Sequence, residues 1–75
     1  MKIDLEDFGT GWYGLNMALH TSEIDELIKR LIHIKDQPGD HFHICSTFAE
    51  NESSGIADIE FSVMHDSETS NSRFG

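Results

Sequence analysis

The chain has 75 residues, with 14 acidic side chains against five Lys and Arg and a net charge of −9 at pH 7. That length admits one domain with a small core and leaves no room for a second. The charge disfavours nucleic acid and anionic membranes as partners, because phosphate contacts need clustered cations, and favours a basic protein instead.

Lys2 is followed by Asp4, Glu6 and Asp7 with no apolar run resembling a signal-peptide core. Nor does any apolar run approach the ~20 residues of a membrane span. Cys45 is the single cysteine, which excludes an internal disulfide and suits a reducing compartment. The expected location is therefore the cytoplasm, and Cys45, inside an alternating pattern, reads as a small packing residue and not a nucleophile.

In chain order, residues 2–8 alternate Ile3 and Leu5 with Lys2, Asp4 and Glu6, the period of a strand with one buried face. Gly9, Thr10 and Gly11 supply a hairpin connection. Residues 12–19 set Tyr13, Leu15, Met17 and Leu19 against Trp12, Gly14, Asn16 and Ala18, a second strand.

Residues 21–36 predict a helix. Ile24, Leu27, Ile28, Leu31, Ile32 and Ile34 cover roughly 160° of its circumference at about 100° per residue, a width suited to packing on a sheet. Thr21 or Ser22 is the expected N-cap, with Glu23, Asp25 and Glu26 in the first turn and Lys29, Arg30 and Lys35 loading the second half. Asp25 with Lys29 and Glu26 with Arg30 fall at i, i+4. Gln37, Pro38 and Gly39 end the helix.

Residues 41–48 alternate Phe42, Ile44 and Phe48 with His41, His43, Cys45 and Thr47, a third strand. Residues 49–55 have loop composition, and 56–64 set Ile59, Phe61 and Val63 against Asp58, Glu60, Ser62 and Met64, a fourth. Residues 65–75 carry no periodicity and form a polar tail expected to be mobile.

The expected architecture is α+β, a two-layer ββαββ domain over residues 1–64 with one four-stranded, mainly antiparallel sheet and the helix on one of its faces. The expected core is Ile3, Leu5, Tyr13, Leu15, Met17, Leu19, the helical stripe, Phe42, Ile44, Phe48, Ile59, Phe61 and Val63. The helix segment nets −1, so −8 belongs to the rest of the chain, where Lys2 and Arg73 are the only Lys or Arg. The open sheet face therefore carries the acid, alongside Trp12, His41 and His43.

Three readings of that face compete: a solvated surface, a protein-binding surface anchored by Trp12, and a metal site. For the last, His41 and His43 lie two apart on one strand face. A register that keeps Phe42 and Ile44 inward brings Asp58 or Glu60 near them, a donor set suited to Zn²⁺. The same acidic surroundings would equally favour protonated imidazoles that neutralise charge. No nucleophile set, phosphate loop or cofactor motif supports catalysis, and no cofactor is expected.

Trp12-Tyr13-Gly14, the helix start Glu23-Ile24-Asp25-Glu26-Leu27-Ile28, His41-Phe42-His43 and Gly55-Ile56-Ala57-Asp58-Ile59-Glu60-Phe61 together resemble the immunity protein 32 family, small bacterial proteins encoded beside polymorphic toxins. The resemblance covers roughly residues 1–64. It implies a cytoplasmic protein that neutralises a cognate toxin by direct binding. On that reading the contact patch is Trp12, His41, His43, Asp58 and Glu60, with Asp4 and Glu6 steering a basic toxin domain from the rim. The alternatives are a metal-binding protein using His41, His43, Asp58 and Glu60, and a structural homodimer that buries the open face.

Overall fold

A computed structural model describes residues 1–47 and 54–75. The chain is α+β, in the order β1 (Lys2–Asp7), β2 (Tyr13–Ala18), α1 (Thr21–Asp36), β3 (His41–Cys45) and β4 (Asp58–Ser62). Strand β1 pairs antiparallel with β2, so that Ile3 faces Met17 and Leu5 faces Leu15. Strand β3 pairs antiparallel with β4, so that Phe42 faces Phe61 and Ile44 faces Ile59.

The β1–β2 connection follows from its residues. Gly9 and Gly11 take φ of 72° and 88°, a region that a Cβ disfavours. The Asp7 carboxylate accepts the Gly9 N–H at 2.8 Å, and the Phe8 N–H donates to the Trp12 carbonyl at 3.2 Å.

The helix has the expected span, but its start differs in detail. His20 and not Thr21 or Ser22 is the N-cap, with φ −66° and ψ 155°. Glu23 selects it: three residues into the helix, its Oε1 accepts the His20 N–H at 2.9 Å, one half of a capping box. Of the two i, i+4 pairs expected, the structure closes Glu26 with Arg30 at 3.1 Å. At the other end the Gln37 N–H makes the last helix-type bond, to the His33 carbonyl at 2.8 Å; Pro38 has no N–H to extend the ladder, and the Asp40 N–H closes a turn onto the Gln37 carbonyl at 2.9 Å.

Among the described residues the expected single four-stranded sheet does not form. The four strands make two separate two-stranded antiparallel sheets, β1–β2 and β3–β4. Between them and α1 runs an open groove of about 630 Å³, lined by Ile3 of β1, Leu19, Leu27 of α1, and Phe42 and Ile44 of β3. Alternation within each hairpin specifies its own pairing, whereas joining two hairpins edge to edge needs a complementary backbone edge that side-chain pattern does not encode.

The core is correspondingly smaller than expected. Among the described residues only Ile34 (6% exposed) and Phe42 (8%) are buried hydrophobics. Phe42 stacks on Phe61 with ring centroids 4.8 Å apart and nearly parallel planes, and the Arg30 guanidinium lies 6.0 Å from the Phe42 ring centroid. Ile3, Met17, Leu19, Leu27, Ile44, Ile59 and Phe61 are half-buried. Leu5, Tyr13, Leu15 and Val63, all expected inside, are exposed, and so are Ile24, Ile28, Leu31 and Ile32 of the helix. Phe48 lies outside the described residues, as does most of the predicted 49–55 connection.

Helical geometry explains the split within the stripe. Leu27 and Ile34 sit about 60–80° to one side of Ile24, Ile28 and Ile32 about 40–80° to the other. Hairpin β3–β4 meets the helix on the Arg30 and Ile34 side, where these two residues and Phe42 line a common cleft. One edge of the stripe is covered and its centre and far edge are not.

Candidate functional site

The outer face of the β3–β4 sheet collects His41, His43, Cys45, Asp58 and Glu60, because strand alternation turns them away from Phe42, Ile44, Ile59 and Phe61. In the ladder His43 is directly opposite Glu60, and Cys45 opposite Asp58. The His43 Nδ1 lies 2.8 Å from Asp58 Oδ2 and 3.0 Å from Oδ1. On the other side of the same ring, Nε2 is 3.5 Å from Glu60 Oε1. His41 Nε2 reaches that same oxygen at 4.0 Å, and the two imidazoles meet edge to face at 5.0 Å. His41, His43 and Glu60 each offer one donor atom within 4.8 Å of the others.

Cys45 is exposed, which corrects its assignment as a packing residue. Its thiol points to Asp58 Oδ1 at 3.6 Å. Donating to that carboxylate stabilises the S–H form, and together with slight desolvation and the nearby negative charge it raises the thiol pKa. A thiol held protonated is a poor nucleophile.

The remaining sequence-derived site residues lie elsewhere. Asp4 and Glu6 belong to β1, and Trp12 precedes β2 with 78% of its surface exposed. Asp4 and Glu6 stand on the β1–β2 sheet and Trp12 in the loop that leads into it, so the expected contact patch and its rim divide between that hairpin and the β3–β4 sheet that carries His41, His43, Asp58 and Glu60. Asp4 is paired at 3.8 Å with Lys2, an exposed contact of little energetic weight.

The sequence reading missed the uncovered helix stripe, Ile24, Ile28, Leu31 and Ile32, as a surface in its own right. The periodicity that marks the stripe is in the sequence; that the described strands leave its centre uncovered is not.

The helix start carries a pH-sensitive contact. Glu23 Oε2 is 2.6 Å from the Met1 ammonium, and Oε1 takes the His20 N–H. These two hydrogen bonds hold the Glu23 pKa below its ordinary 4.5. Because the folded pKa is depressed, the contribution is fully present above pH 4.5 and is lost as pH falls through the folded value. Glu23→Gln should therefore flatten the loss of thermal stability below that pH, measured by melting across an acid series. An unchanged slope would place the acid sensitivity on other carboxylates.

No helix among the described residues is long and apolar enough to cross a membrane. No protein-family model matches the chain, and neither a curated protein nor a solved structure matches it. What the chain does must follow from its own charge, exposed apolar surface and side-chain geometry.

Proposed function

We propose that the chain is a protein-binding module that covers its helix stripe with a basic protein partner, acting by binding and not by catalysis. The observation that carries this reading is the surface the chain leaves exposed. A folded monomer of 8.5 kDa exposes about 4,700 Å², and this chain exposes 6882 Å². The difference, about 2,200 Å², is more than the roughly 800 Å² per partner that a standard protein interface buries. The exposed 65–75 tail accounts for a share of it, and the isoleucines of α1 together with Leu5, Tyr13 and Leu15 for another.

Charge selects the partner class. Two copies at −9 each repel, whereas a basic surface is attracted and its encounter accelerated. An apolar stripe for affinity within an acidic surround for steering is the combination expected of an immunity protein that neutralises a cytoplasmic toxin, in keeping with the family resemblance. The acidic groups on the two sheets, Asp4 and Glu6 on one and Asp58 and Glu60 on the other, would flank the contact and set its rate.

Co-expression with the product of the adjacent gene, followed by sedimentation of the purified mixture, tests this. A one-to-one complex at micromolar concentration is expected, and reversing Asp4 and Glu6 to Lys should slow association and reduce its salt dependence. Absence of a complex, or a stable homodimer that excludes the second protein, would count decisively against it.

A further inference from the structure

We propose that His41, His43 and Glu60 form a divalent-metal site of zinc type, with Asp58 as the group that orients His43. A carboxylate has only lone pairs to offer, so the His43 Nδ1 that Asp58 holds at 2.8 Å must carry the proton. In the neutral ring the Nε2 is then a bare acceptor, and it points at another acceptor, Glu60 Oε1, 3.5 Å away. His41 Nε2 approaches the same oxygen at 4.0 Å.

Such an arrangement leaves its centre open to a water, a further imidazole proton or a cation. The geometry suits the cation. Around zinc, with bonds of roughly 2.0–2.2 Å, neighbouring donors stand about 3.3 Å apart. The three donors here lie within 4.8 Å of one another and all three side chains are exposed, so the widest separation has to close by about 1.5 Å to reach that spacing. Two imidazoles and one carboxylate, with a further position open, is a donor set that zinc accepts and that magnesium, which prefers oxygen, does not. Asp58 supplies what a ligating histidine ordinarily has, a carboxylate on the ring nitrogen away from the metal that fixes the tautomer. The coordination leaves room for water or for a side chain of a bound protein.

The site is independent of the helix stripe, so it can succeed or fail without deciding the proposed partner. Titration of the full chain with Zn²⁺ alone near neutral pH, by calorimetry and by thermal unfolding, tests it. One equivalent should bind with micromolar or tighter affinity and raise the melting temperature. Glu60→Gln and His43→Ala should each eliminate that equivalent. Asp58→Asn should keep the stoichiometry and weaken binding by about 10–100-fold. Circular dichroism of the free variants should be unchanged, since every substituted side chain is exposed. The assignment is overturned if zinc does not saturate in the micromolar range, if Mg²⁺ competes equally, or if His43→Ala retains the binding, which would move the ion to His20, His33 or His65.

Discussion

Ile28→Asp should leave the free chain folded and weaken partner binding by about 10²–10⁴-fold, the range of a central hot spot lost and replaced by a buried charge. Ile28 is half-exposed in the free chain, at 49%, so converting it to a carboxylate removes little packing. The substitution sits at about 40° from Ile24 on the side of the helix away from Phe42, where no described strand covers it. In a complex that position would be central to the stripe, flanked by Ile24, Leu31 and Ile32. The free protein offers a second readout that needs no partner. An apolar stripe in water binds a hydrophobic dye, and Ile28→Asp should reduce that fluorescence while far-UV circular dichroism stays constant. A large fall in melting temperature would instead mean that the stripe packs inside the free chain, and binding unaffected by the change would place the interface elsewhere.

The helix was legible because every local signal agreed: periodic apolar residues, acids first and bases last, and a Pro-Gly stop. The N-cap was not legible, because the hydroxyls of Thr21 and Ser22 carry the ordinary cap signal. Glu23, bonding back to the His20 N–H, fixes the start without one. Within each hairpin the alternation was equally informative, and the pairing of Phe42 with Phe61 and of His43 with Glu60 follows from it. The sheet's continuity was not legible. Alternation names the face a residue belongs to, and it carries no instruction about which backbone edge meets which.

Burial was not legible in the sequence, for a physical reason. Periodicity shows that Ile24, Ile28 and Ile32 share a face; it does not show that something inside the same chain covers that face. In this chain hairpin β3–β4 meets the helix on its Arg30 and Ile34 side, and the isoleucines on the other side of the 16-residue helix, about 24 Å long, stay exposed. The acidic character, read correctly from composition, acquires a different meaning once the sheets are separate. It is divided between two hairpins that flank the groove, so acidic charge and exposed apolar area occur on the same small molecule without sharing one face.

Phe42→Ala should have the largest effect on stability of any single substitution in β3. Phe42 is the only described strand residue that is buried, its ring stacked 4.8 Å from Phe61 and lying against the side of α1 that carries Arg30 and Ile34. Truncating a buried Phe removes about 3–5 kcal/mol through lost transfer energy and the cavity left behind. A 75-residue domain has roughly 4–11 kcal/mol in total, and one that leaves so much apolar surface in water belongs near the lower end. The variant is therefore expected to be largely unfolded at room temperature, with loss of the cooperative denaturation transition. Leu15→Ala, at a position 47% exposed, should cost about 1 kcal/mol and keep the transition intact. Two isolated two-stranded hairpins are marginal in water, so the contrast between these variants measures how much of the fold depends on docking β3–β4 against the helix. A Phe42→Ala protein that melts like the parent would show that the hairpin is held by something other than this contact.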